Sequence, residues 1–311
     1  MDTSNINGVK IMISSFRIKC LLCLLLYASG MSSQDKLPQK AARNLISRIP
    51  KPALKVKWPA DTIPYTQLLP EIFRNVKSNE IVDSTDVLEP VMKQLQEMRL
   101  DMEVDTFRIL HIGDSHVRGH IYPQSAGLVL TQEFHSLLYY DMGVNGATCL
   151  TFTHPARISA IVEAKPSLLI LSFGTNESHG KGYKTNVHYN QMHELIELLK
   201  DSLPGVPMLL TSPPGSFERR RLSRRRSTYS PNPRTIMAAK TIREYASRNG
   251  LAFWDLYAVV GGEQWACKNW AGAKLMRPDH VHYLPEGYTL QGKLLAQAII
   301  KAYNNYVVNR H

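Results

Sequence analysis

Five short, continuous apolar runs constrain this chain more than any other feature. They are Phe107 to Ile112, Leu137 to Val144, Ser167 to Phe173, Val206 to Ser212 and Leu251 to Leu256. Runs of this length read as strands, and because they are apolar throughout rather than at alternate positions, both faces must be buried. Between and after them lie helical patterns at Asn190 to Leu203, Arg234 to Asn249 and Pro285 to Tyr306. The alternation predicts an open α/β domain, a doubly wound parallel sheet of about five strands covered by helices. Ligands bind such sheets outside the carboxyl ends of the strands, which makes the residues just after each strand the ones to inspect.

The segment upstream differs in kind. Lys10, Arg17 and Lys19 precede an apolar run from Cys20 to Ala28, followed by the small residues Ser29, Gly30, Ser32 and Ser33. A basic start, a short apolar middle and a small-residue exit describe a secretory signal peptide, here 1–33; the alternative is a short buried helix. The run is too short for a bilayer, and no other run approaches the 18 or so residues of a membrane span. Residues 34–100 form an N-terminal extension. Its first part carries six prolines between Pro38 and Pro70 and no sustained period, as an extended arm would. It ends in a helix, with Val87, Leu88, Val91, Met92, Leu95 and Met98 at helical spacing. Residues 101–311 then form the main domain. Hydrophobic residues at 44% and charged residues at 20% exclude a disordered or collagen-like chain.

Two of the four cysteines, Cys20 and Cys23, lie in the leader. Cys149 and Cys267 remain, in a compartment that permits oxidation. We expect a disulfide between them, tying the loop after the second strand to the loop before Asp279; the alternative is two small buried hydrophobes. The net charge of +11 is unevenly placed, since Arg219, Arg220, Arg221, Arg224, Arg225 and Arg226 fall within eight positions. Flanked by Pro213-Pro214-Gly215 and Pro231-Asn232-Pro233, they read as a long loop, either simply solvated or able to capture an acidic partner. Nucleic acid is excluded as a partner, for only Tyr229 lies near this charge and no known module is present.

The loops at the predicted edge hold the chemistry. Gly113-Asp114-Ser115-His116 follows the first strand, Asn145-Gly146-Ala147-Thr148 the second and Gly174-Thr175-Asn176-Glu177 the third, while Asp279 to His282 leads into the last helix. A serine hydroxyl needs a base to take its proton, and the base needs a group to fix its tautomer. The tetrahedral intermediate needs donors aimed at its oxyanion. In this order and on these loops, the four blocks resemble the SGNH (GDSL-type) hydrolase family over roughly 105–305. The resemblance implies a flavodoxin-like three-layer α/β/α fold and ester hydrolysis through an acyl-serine, with no metal or organic cofactor. Carried over by position, Ser115 is the nucleophile, His282 the general base and Asp279 the residue that orients it. The Ser115 and Gly146 N–H groups and the Asn176 amide form the oxyanion hole. Position 116 is His where the name-giving motif has Leu, and position 177 is Glu where Asp is frequent. Gly-Asp-Ser-His also resembles branches acting on peptidoglycan and polysaccharide O-acetyl esters.

The expected function is therefore an exported serine esterase, periplasmic or in the cell envelope, that removes small acyl groups, acetyl foremost, from a carbohydrate. Three alternatives use the same fold: an esterase of lipids or lysophospholipids, a glycan O-acyltransferase with the same triad, and a catalytically silent glycan-binding protein. His116, Glu177, His179 and Trp270 are candidates to line the substrate cleft, against core packing for Trp270 and a solvated loop for His179. His280, two positions before the base, would point elsewhere. Trp254, inside a strand, belongs to the core.

Overall fold

The computed structural model of the chain describes residues 61–102 and 105–309; the predicted leader lies outside them. Regular elements begin with strand β1 (Ile81–Val82) and helix α1 (Glu89–Arg99). There follow β2 (Phe107–Gly113), α2 (Ser115–Arg118), α3 (Ile121–Glu133), β3 (Leu137–Gly143), α4 (Pro155–Glu163), β4 (Leu168–Ser172), α5 (Thr175–His179) and α6 (Thr185–Ser202). The remainder is β5 (Met208–Thr211), the pair β6 (Phe217–Arg221) and β7 (Ser227–Pro231), α7 (Pro233–Arg248), β8 (Ala252–Trp254), α8 (Leu256–Val259), α9 (Gly262–Gly272) and α10 (Pro285–Asn309).

Six strands, one more than expected, form the main sheet in the order β1-β8-β5-β4-β2-β3. The five strands from β2 onward are parallel and correspond to the five apolar runs. The sixth, β1, comes from the N-terminal extension and pairs antiparallel with β8, with Ile81 opposite Trp254 and Val82 opposite Phe253. Two residues are too few to leave a periodic trace in sequence. The chain winds from β2 outward to β3 on one side and to β4, β5 and β8 on the other, so the order reverses between β2 and β4. That is the point at which an open sheet of this kind offers a crevice.

Strands β2, β4, β5 and β8 are buried on both faces, as continuous apolar strands require, whereas Leu138 and Tyr140 of the edge strand β3 are exposed. Alternate residues point to opposite faces. Ile109, Leu168, Ile170 and Leu209 pack with Leu95 of α1, Leu130 of α3 and Leu294, Leu295 and Ile299 of α10. Leu110, Leu169, Leu171 and Leu210 pack with Ile161 of α4, Leu195 and Leu199 of α6 and Ile242 of α7. The result is a three-layer α/β/α sandwich. Helix α7 starts where Asn232 caps it by accepting from the Arg234 amide at 3.1 Å, with Pro233 in the first turn. Helices α3 and α10 approach so closely that a Cβ at Gly292 would lie 2.4 Å from the Tyr122 carbonyl oxygen. Two features of the extension dock on this frame. Ile63 N–H donates to Asn304 Oδ1 at 2.8 Å, and buried Asn79 donates to Leu294 O and accepts from Trp254 Nε1, both at 2.8 Å.

The arginine run departs from expectation. It is a two-stranded antiparallel hairpin, β6 paired with β7 from Phe217 opposite Pro231 to Arg221 opposite Ser227, rather than a long loop. Backbone pairing holds it, which a run of charged side chains does not announce. The expected disulfide is also absent, since Cys149 and Cys267 are free, buried thiols. Each belongs to its own packing environment. Cys149 joins Phe152, Leu171 and Phe173 on one face of the sheet. Cys267, on α9, donates to Ser216 O at 3.3 Å, and burial pushes its thiol up to about 12. No helix among the described residues is long and apolar enough to cross a membrane.

Candidate active site

Strand β2 ends at Gly113 and the chain turns at once into α2, whose first residue is Ser115. Asp114 caps this turn by accepting from the His116 amide at 2.9 Å. Its carboxyl is fully buried, and burial, with the nearby Glu177 charge, pushes it up to about 7 against the opposing His116 hydrogen bond. Ser115 Oγ lies 2.9 Å from His282 Nε2, and His282 Nδ1 lies 3.0 Å from Asp279 Oδ2. The same carboxylate accepts from the backbone amides of His282 and Val281 at 2.8 and 2.9 Å. Partial burial works against the Asp279 charge, but these amide and imidazole hydrogen bonds outweigh it and hold the carboxyl below its ordinary range. Asp279 thereby fixes both the ring and the backbone of His282.

The loops after β3 and β4 complete the site. Gly146 has φ +73, a left-handed conformation that favours glycine, while a Cβ there would meet nothing. Its N–H makes no hydrogen bond among the described residues. The Asn176 amide donates one hydrogen to Ala147 O at 2.8 Å, which orients the group and leaves its second hydrogen available. Ser115, Gly146, Asn176, His179, Asp279 and His282 all line one open cleft of about 750 Å³ at the carboxyl ends of the strands. His179, on the exposed end of α5, is the one of the four candidate cleft residues found there.

The other three are placed elsewhere. Trp270 is fully buried, its indole N–H donating to Pro214 O at 3.1 Å and its ring against Phe73 and Tyr283. His116 lies behind Ser115, 3% exposed, with Nδ1 3.0 Å from Tyr288 Oη. Burial, and then the adjacent His282, push its imidazole down to about 3. It stays neutral beside the base. The Glu177 side chain is only 3% exposed and braces the site from inside. Oε1 accepts from the Cys149 amide and Oε2 from the Gly174 amide, each at 2.9 Å. One carboxylate thus ties the loop bearing Gly146 to the loop bearing Asn176.

Sequence reasoning missed Arg118, Arg277 and Tyr288, which also line the cleft. Arg118 was within reach, because it sits three positions after Ser115 on the same helical turn. Arg277 and Tyr288 arrive through the β-bridge between Met276 and Tyr283, which no local pattern reveals. Among the described residues, Cys149, Glu177 and His188 are the group whose ligand atoms lie within 4.8 Å of one another. Both Glu177 oxygens already accept amide hydrogens, and burial, followed by the Glu177 charge, pushes the Cys149 thiol well up. His188 is buried beside this pair, its Nδ1 3.1 Å from Tyr183 Oη and its Nε2 4.0 Å from Glu177 Oε1.

A model of the GDSL-like Lipase/Acylhydrolase family matches residues 111–290, more than half of the chain. The chain belongs to this family. The span runs from β2 into α10 and includes all four loops of the GDSL-like site, and the SGNH-type sandwich described above is the corresponding fold. A sequence search of curated proteins gives no match. Among solved structures, a peptidoglycan O-acetylesterase superposes with TM-score 0.64 at 16% identity, over 72% of this chain and 99% of that one. A GDSL-like lipase from Bacteroides thetaiotaomicron gives TM-score 0.46 at 19% identity, over 68% and 98%. A carbohydrate acetylesterase from Sinorhizobium meliloti gives 0.46 at 12%, over 63% and 99%. This GDSL-like chain is a hydrolase of the acylhydrolase class.

Proposed function

We propose that the protein is an exported serine esterase that removes small acyl groups, acetyl foremost, from a carbohydrate of the cell envelope. Residues 1–33 would be the leader that exports it and 34–100 an extension of the hydrolase domain 101–311. The observation that carries the reading is the hydrogen-bonded series Ser115–His282–Asp279 opening on a cleft that also holds Gly146 and Asn176. His282 Nε2 takes the Ser115 proton as Oγ attacks the ester carbonyl carbon, and Asp279 stabilises the resulting imidazolium. The oxyanion faces the Ser115 and Gly146 amides and the free Asn176 hydrogen. Collapse breaks the carbon–oxygen bond to the sugar, whose oxygen takes the proton from His282. Water then attacks the acyl-serine with His282 again as base, releasing the acid and restoring Ser115.

An open cleft lined by Arg118, Asn145, Asn176, His179 and Arg277 supports a polar substrate over a lipid acyl chain, which needs an apolar channel. The peptidoglycan O-acetylesterase of the same fold supports a glycan and a place outside the cytoplasm. A screen of O-acetylated glycans, scored by acetate release, tests the reading with Ser115→Ala as control. Turnover of p-nitrophenyl acetate should exceed that of the octanoate ester, and fluorophosphonate labelling should vanish in Ser115→Ala. Preference for octanoate, or wild-type activity in the variant, would overturn it.

A further inference from the structure

We infer that the hairpin β6–β7 is a binding arm for an acidic glycan chain and that this chain is the substrate delivered to the Ser115 cleft, the second statement resting on the esterase reading above. All six arginines of the hairpin are exposed. None forms a salt bridge among the described residues, and the hairpin's single acidic residue, Glu218, is taken up by Arg234 at 2.7 Å. Five of the six, with Ser223 and Ser227, line a concavity of about 350 Å³ that contains no carboxylate. The cup is built rather than merely charged. Arg219 Nε donates to Ser227 Oγ at 2.9 Å, Arg221 Nε to Ser223 O at 3.1 Å and Arg221 Nη2 to Arg224 O at 3.3 Å. Like charges held this close repel one another unless an anion of matching density lies among them.

The arm is fused to the candidate active site. Phe217 N–H donates to His280 O at 2.9 Å. The His280 ring lies between Tyr229, at 4.1 Å between centroids, and Phe217, at 5.4 Å. His280 follows Asp279 directly and sits in the left-handed region at φ 59, a conformation this stacking holds in place. The cleft itself also carries positive charge, Arg118 and Arg277, neither in a salt bridge among the described residues. A polymer laid across the hairpin therefore meets guanidinium forks, suited to carboxylate or phosphate groups, along its way to Ser115. The only aromatic ring of the outer arm, Tyr229, is occupied by His280, which leaves none for stacking nucleic-acid bases. One exposed apolar side chain at the tip, Leu222, is too little to enter a bilayer.

The test combines Arg220→Gln, Arg224→Gln, Arg225→Gln and Arg226→Gln, four side chains that make no hydrogen bond in the hairpin. Affinity electrophoresis would compare wild type and variant in gels holding polygalacturonate, neutral arabinan or duplex DNA, with flotation on phosphatidylglycerol vesicles alongside. Polygalacturonate should retard the wild type, arabinan should not, and the variant should lose affinity by about tenfold or more. KM on O-acetylated pectin should rise by a similar factor at unchanged kcat, while p-nitrophenyl acetate turnover stays at the wild-type rate. Equal retardation of the variant, retardation by arabinan, or tighter binding to DNA or vesicles would overturn the inference. Inactivity of the wild type on both esters would instead overturn the esterase reading, and the gels would still decide the arm.

Discussion

Replacing Glu177 with Gln probes how the two oxyanion loops are held at their working distance. The carboxylate accepts from the Cys149 and Gly174 amides, one on each oxygen. Glutamine keeps one acceptor and turns an NH₂ toward the other amide, so one buried N–H loses its partner. Hydrogen bonds to a charged group contribute about 1.5–3 kcal/mol, and a buried donor left unpaired costs about 1–3. The lost charge relieves neighbouring Asp114, whose carboxyl it helps to push up, and this offsets part of the cost. We expect a net loss of about 2–4 kcal/mol, taking the larger amide term with that relief. This corresponds to a fall in thermal midpoint of roughly 5–15 °C for a domain of this size. Gly146 lies three residues before Cys149 and Asn176 two after Gly174, so slack in the brace moves both donors. A misplacement of about 1 Å can cost about 100-fold in rate, and kcat should fall by roughly 10- to 100-fold with little change in KM. Calorimetry and p-nitrophenyl acetate kinetics give both readouts. A variant with wild-type midpoint and wild-type kcat would refute the brace; a lower midpoint with undiminished kcat would confine it to stability.

Three further outcomes are expected. Asn176→Ala should fold and bind substrate but lose about 10²–10³ in kcat; a change confined to KM would move Asn176 from the oxyanion hole to the substrate pocket. Asp114 has a folded-state carboxyl raised from 3.8 to about 7, so the folded state binds the extra proton and wild-type stability falls as pH rises through that window. Asp114→Asn keeps the cap oxygen and should flatten this slope in denaturant titrations across the same pH range. Gly292→Ala places a Cβ against the Tyr122 carbonyl and should destabilise by about 1–3 kcal/mol in urea melts.

The parts of the fold legible in the sequence are those whose side chains carry the pattern. The inner parallel strands were visible because burial on both faces makes them largely apolar, the edge strand β3 because Leu137 to Val144 still reads as an apolar run although Leu138 and Tyr140 are exposed, and the helical pattern Arg234 to Asn249 corresponds to α7. Helix α3 was not foreseen: its buried residues Tyr122, Ala126, Val129 and Leu130 do fall at helical spacing, but Pro123 and Gly127 interrupt the run and exposed Leu128 places an apolar residue on the outer face. The hairpin was hidden because its order is in backbone pairing. In the candidate site, the block residues marked which loops to inspect, but not the direction of each side chain. His116 and Glu177 point inward from loops whose neighbours face the cleft, and chain-neighbour position says nothing about that. The disulfide expectation failed for a related reason: two loops can reach the same edge of a sheet while their cysteines face different interiors.

The pairing of β1 with β8 has a consequence for solubility. Without Ile81 and Val82, the last parallel strand, Ala252-Phe253-Trp254, would present a free row of amide and carbonyl groups beside two large aromatic side chains. An open apolar edge of that kind invites strand addition between molecules. The family match begins at residue 111 and so leaves out the strand that closes this edge. Protein that begins just after Val82, and so keeps α1, the whole of β2 and α10, should therefore self-associate through β8, whereas protein that retains the edge-closing segment keeps its sheet terminated by its own chain.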